Sequence, residues 1–155
     1  MNSIKERVLD LGIRLGINFE ERDPSNSYSG DGKTIASINN DSSLLHEIAH
    51  YLVCKTIDPM RLEIEEYGLG PGPDTSDYRL PDRKYREPLS HAESSTEEHY
   101  ASALGILLEE YLGLNWEKTS IEHCWLSNGD LRDAQREVLH CLPDWLQKEV
   151  CNYLC

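Results

Sequence analysis

The sequence predicts an α+β fold, with a small, mostly antiparallel sheet packed on one long amphipathic helix and further helices around it. Three observations carry this. Between Asp41 and Val53, Leu44, Leu45, Ile48, Ala49, Leu52 and Val53 recur at helical spacing and make a broad apolar stripe. Two short segments before it, 17–20 and 33–39, read as strands divided by turn chemistry. From residue 96 onward the apolar positions are again helical, with caps and stops between runs. At 155 residues the chain is long enough for one substantial core, and a single domain over 1–155 is expected.

In order, Ile4, Val8, Leu11 and Leu15 predict a helix over 3–16, with Gly16 as its stop. Ile17 to Glu20 is a short strand, and Asp23-Pro24-Ser25-Asn26-Ser27 is a turn. Gly30-Asp31-Gly32 is a tight-turn signal, followed by the strand from Lys33 to Asn39. That strand runs almost directly into the stripe helix, for which Asp41, Ser42 and Ser43 are N-cap candidates. Residues 57–95 hold five of the seven prolines and read as a long loop or a lid over a cleft. Within it, Tyr67, Tyr78 and Tyr85 lie among the basic residues Arg79, Arg83, Lys84 and Arg86. Ser94-Ser95-Thr96 then caps a helix to Leu112, with Tyr100, Ala101, Leu104, Leu108 and Tyr111 on its buried face and Gly113 as its stop. Helices over 131–142 and from Pro143 onward complete the chain.

Composition excludes several functions. The formal charge is −13, so the surface repels a phosphate backbone and direct nucleic-acid binding is not expected. No apolar run reaches the roughly 18 residues that cross a membrane. The first residues lack the apolar core of a signal peptide. The five cysteines, Cys54, Cys124, Cys141, Cys151 and Cys155, are odd in number and form no CxxC pair, which fits free thiols in a reducing cytoplasm. Cys151 and Cys155 with His140 or Cys141 are a weaker candidate for a second metal site.

The chemistry is concentrated in His46-Glu47-Ile48-Ala49-His50. Histidines four apart on a helix project from one side, one turn apart, and can share one metal ion. Glu47 is one step round from His46, beside the ion and aimed at a bound water. Chance alone would place such a pattern in a chain of this composition about 0.03 times, so a surface Glu between two structural histidines is the weaker reading. A catalytic zinc needs a third protein ligand. The position six residues after His50 is Thr56, so the ligand must come from elsewhere. Glu97 precedes Ala101 by four residues and Leu104 by seven, which puts it on the buried face of the later helix; Glu98 is one step round, and Glu93 is a further alternative. Close packing of Ala101 and Gly105 on the metal helix would bring the opening turn of the later helix over His46 and His50. His91, His99, Tyr78 and Tyr100 are candidates to stabilise an oxyanion.

With the strand ending at Ile38-Asn39, the HExxH helix and a later helix opening with Glu, the chain resembles a small zincin of the gluzincin type. It is similar to the phage-repressor-cleaving and radiation-response metallopeptidases of the ImmA/IrrE group, and also to the elongation factor P hydroxylase group. The likeness covers roughly 33–54 and 93–112. It implies His46, His50 and Glu97 as metal ligands and Glu47 as general base. The interval from His50 to Glu97 is long and proline-rich, and no helix-turn-helix module accompanies it, unlike the peptidase group. The expected function is a zinc-dependent peptidase acting on a protein or peptide, with the 35–38 strand available to pair with an extended substrate. The alternatives are a non-haem iron hydroxylase, since two His and a carboxylate also suit Fe2+, and a non-catalytic interaction protein stabilised by metal. The sequence carries no signal for oligomeric state.

Overall fold

The computed structural model describes residues 2–21, 34–38, 40–57, 91–123 and 128–154, without the side chains of Cys54, Ile57, 91–98, 120–123, 128 and 129. Helix α1 is Ile4–Arg14, followed by strands β1 (Asn18–Glu20) and β2 (Thr34–Ala36), α2 (Asp41–Ile57), α3 (His91–Leu112), α4 (Trp116–His123) and α5 (Asn128–Val138). A 3₁₀ turn at Leu139–Cys141, helix α6 (Asp144–Val150) and a second 3₁₀ turn at Cys151–Leu154 end the chain.

Helix α1 starts at Ser3, whose hydroxyl accepts from the Glu6 N–H at 3.1 Å. It stops at Gly16, with φ +95°. There the N–H of Ile17 donates to the Gly12 carbonyl and the N–H of Gly16 to that of Ile13, which satisfies two end-of-helix carbonyls. Gly113, φ +79°, ends α3 with the same pair of bonds, from Leu114 to Glu109 and from Gly113 to Glu110. Both stops follow the sequence reading, because a left-handed backbone at these points strains any residue with a Cβ.

The two strands pair in parallel, with Asn18 opposite Thr34, Phe19 opposite Ile35 and Glu20 opposite Ala36. This corrects the antiparallel expectation. A hairpin needs only a tight turn, whereas a parallel pair needs a crossover of about a dozen residues, and residues 21–33 supply that length. The Gly30–Gly32 turn signal falls outside the described residues, as does 58–90 of the loop or lid expected over 57–95. The ends of that stretch are helical instead: Ile57 closes α2, and α3 begins at His91, ahead of the cap expected at Ser94-Ser95-Thr96, because nothing in the run from His91 to Ser95 breaks a helix.

The whole predicted stripe of α2 is buried. Helix α3 is buried almost all round through its middle: Ala101, Ala103, Leu104, Ile106, Leu107 and Leu108 are at most 2% exposed. Such a helix belongs at the centre of a helical assembly. On one side it meets α2 in a cluster that draws on α1, both strands and the C-terminal helices. On another, Ala103 and Ile106 pack on Leu131 and Ala134 of α5. Gln135 of α5, fully buried, donates to the Ala103 carbonyl at 3.1 Å, and Arg132 grips Glu110 with two bonds of 2.8 and 3.1 Å. Among the described residues no helix is long and apolar enough to cross a membrane.

Cys141 is buried and Cys151 partly exposed; neither is in a disulfide. Burial pushes the Cys141 thiol up, against a smaller opposing effect of its hydrogen bond with Thr56. A raised pKa and poor access both slow thiolate chemistry. Alkylation at neutral pH, mapped by mass spectrometry, should therefore reach Cys151 before Cys141; the reverse order would contradict this packing. Of the candidate second metal site, Cys155 lies outside the described residues.

Candidate metal centre

The helix that carries the HExxH residues is capped one position earlier than expected. The Asn40 side chain accepts from the Ser43 N–H at 2.8 Å and its carbonyl accepts from the Leu44 N–H at 3.0 Å. Asn40 thus does the work assigned to Asp41, Ser42 or Ser43, because its carboxamide oxygen reaches the first-turn donors. The Ser42 hydroxyl is then turned elsewhere, donating to Oε1 of Glu109.

One turn on, His46 and His50 bring their Nε2 atoms to 3.0 Å, with the rings edge to face at 86° and centroids 4.6 Å apart. That separation suits an N–H···N bond in which one ring donates and the other accepts. It also suits shared ligation. Two nitrogens each about 2.0–2.1 Å from one ion lie about 3.3 Å apart in a tetrahedral site and about 2.9 Å apart in an octahedral one. The spacing of the two nitrogens therefore suits a divalent metal.

His46 and Glu47 both face a cleft of about 860 Å³, whose wall includes Asn40, Ser42, Ser102, Gly105, Ile106, Glu109, Leu114 and Lys118. Gly105 lies in this wall beside α2. A Cβ built there would lie 3.4 Å from the His46 Cα and 3.6 Å from the Leu45 carbonyl oxygen, so the two backbones run close. Asp41, Glu47 and Glu109 line this cleft against the single cation Lys118, among the described residues.

Ser42 meets Glu109, and His46 meets Gly105, so four residues forward on α2 match four residues back on α3. The helices are antiparallel. Carried on, this register sets His50 level with Ala101 and residue 54 level with Glu97. Glu97 is then about 12 Å along the axis from Gly105 and one turn beyond His50. The part of α3 beside His46 is its middle, not its opening turn as expected. The side chains of Glu93, Glu97, Glu98 and His91, and the whole of Tyr78, lie outside those described. Among the described residues no three His, Cys, Asp or Glu side chains converge as a metal-binding group. Of the oxyanion candidates, Tyr100 donates to Glu137 of α5 at 2.6 Å, and the His99 ring stacks edge-on against Tyr100. Neither is among the cleft-lining residues described.

Sequence reasoning passed over Glu109, a carboxylate only 2% exposed. The signal was present. Glu97, Ala101, Gly105 and Glu109 form one ridge at intervals of four, and the spacing that selects Glu97 selects Glu109 at its other end. Comparison of the chain with protein-family models, with curated proteins and with solved structures gives no match in any of the three.

Proposed function

We propose that this protein is a zinc-dependent peptidase with a zincin-like site of the gluzincin type. The observation that supports it best is the pair of Nε2 atoms 3.0 Å apart on α2, with His46 and Glu47 both on the wall of a cleft. His46 and His50 would hold the ion; Glu97, one turn beyond His50 on α3, would reach back toward His50 to serve as the third ligand. When bound, zinc supplies Lewis acidity, lowering the pKa of water and polarising a carbonyl. Glu47 takes the proton from the attacking water and passes it to the leaving amine. The acidic bias of the cleft, like the net charge, disfavours a polyanion and is compatible with a protein or peptide substrate.

Elemental analysis of protein purified without added metal should find zinc at about one ion per chain. Glu47→Gln should keep that metal while slowing hydrolysis of a mixed peptide library by about 10²- to 10⁴-fold. Equal turnover by Glu47→Gln would end the peptidase reading, and stoichiometric iron would move the site to oxygenase chemistry. Glu97→Gln should weaken metal binding by about 10- to 100-fold or more, and Glu98→Gln should do little. Loss in Glu98→Gln alone would reassign the ligand.

A further inference from the structure

We infer that Glu109 is a positioning residue for the metal centre: its carboxylate clamps the first turn of α2, and through it His46 and Glu47, against α3 and α4. This rests on the metal reading above. Oε1 of Glu109 accepts from the Ser42 hydroxyl of α2 and from the Thr119 hydroxyl of α4, the latter at 3.0 Å. The two hydroxyl oxygens are themselves 3.3 Å apart, so three helices converge on one oxygen. A carboxylate held out of water is costly even when hydrogen-bonded, and an apolar residue of similar volume would pack this position at less cost. Packing alone therefore does not account for Glu109. Its location does, because it stands in the same cleft wall as His46 and Glu47.

The geometry transmits the clamp directly. Ser42–Glu109 and His46–Gly105 are successive rungs of the same helix pair, one turn apart. Gly105 offers no side chain to stop α2 sliding along α3. The Ser42–Glu109–Thr119 junction supplies that stop, so a drift of Ser42 would carry His46 with it.

The test uses the full chain. Zinc affinity is measured by competition with a chromophoric chelator, and the visible spectrum of the cobalt-substituted protein reports ligand geometry, beside circular dichroism for the fold. Glu109→Ala should weaken zinc by about 10-fold or more and shift the cobalt bands. Glu109→Gln, whose amide oxygen still accepts from both hydroxyls, should return both close to wild type. Ser42→Ala/Thr119→Val, which keeps the carboxylate and removes these two hydroxyl donors, should behave like Glu109→Ala and decides the matter if that variant does not fold. Wild-type affinity and spectrum in a folded Glu109→Ala, or in the double variant, would overturn the inference and leave Glu109 as packing. Equal weakening in Glu109→Gln and Glu109→Ala would also overturn it, since the charge itself would then be required, as in a ligand. His46→Ala separates the two levels. Zinc retained there refutes the metal reading and the inference with it, whereas zinc lost there but kept in Glu109→Ala refutes the inference alone.

Discussion

His46→Ala and His50→Ala should each yield folded protein that has lost its metal, with affinity down by about 100-fold or more, beyond the 10- to 100-fold that outer-shell changes produce. Each removes one of two nitrogens that lie 3.0 Å apart, and the remaining imidazole cannot hold the ion at the same site alone. The effect on stability follows by mass action. Zinc present at a hundred times its dissociation constant adds about 2.7 kcal/mol to the native state. In a domain of this size that is worth about 8 °C in melting temperature. Wild type should therefore melt about 8 °C higher with zinc than with chelator, and both variants, at most half loaded at that zinc concentration, should gain about 1 °C or less. Zinc content unchanged in either variant would mean that the two rings are joined by an N–H···N bond and nothing more.

The helices were legible because their signals are local. Gly16 and Gly113 stop their helices, and the α2 stripe is buried at every predicted position. The HExxH spacing likewise fixes which side of α2 His46 and His50 share, since that depends only on helical pitch. What the sequence hid depends on how elements meet. Parallel pairing of β1 with β2 is set by where the chain returns after residue 21, and three-residue strands carry no pattern that records it. Asn40 outcompeted Asp41, Ser42 and Ser43 as the cap, four side chains that are nearly equivalent by preference. Glu109 is a mixed case: the ridge from Glu97 marked its face, but its partners were not legible. It lies beside Glu110 after an apolar run, and only the packing of α2 and α4 on α3 shows that one of the two is buried on hydroxyls and the other is paired with Arg132.

Gly105 should separate helix packing from helix propensity, and its two substitutions should have opposite signs. An alanine Cβ would sit 3.4 Å from the His46 Cα and 3.6 Å from the His46 nitrogen, ordinary contact, so Gly105→Ala fits. Mid-helix glycine is about 1 kcal/mol worse than alanine, and Gly105→Ala should leave stability unchanged or raise it by up to about that amount. Gly105→Val adds two carbons where the neighbours are backbone atoms of α2, which cannot swing aside. Overpacking of this kind costs about 1–3 kcal/mol, and here it pushes α2 off α3 at the residue that would bind the metal. Gly105→Val should therefore lose both stability and zinc affinity. Gly12→Ala is the control. Its Cβ would lie 2.4 Å from the Phe19 ring and 3.3 Å from Cδ1 of Ile48, a worse overlap, but both obstacles are the ends of side chains and not the α2 backbone. It should cost about 1 kcal/mol and leave zinc affinity intact. Thermal melts and chelator competition on the three variants decide the point. If Gly105→Val bound zinc as tightly as Gly12→Ala does, close approach of α3 to His46 would have no part in shaping the site.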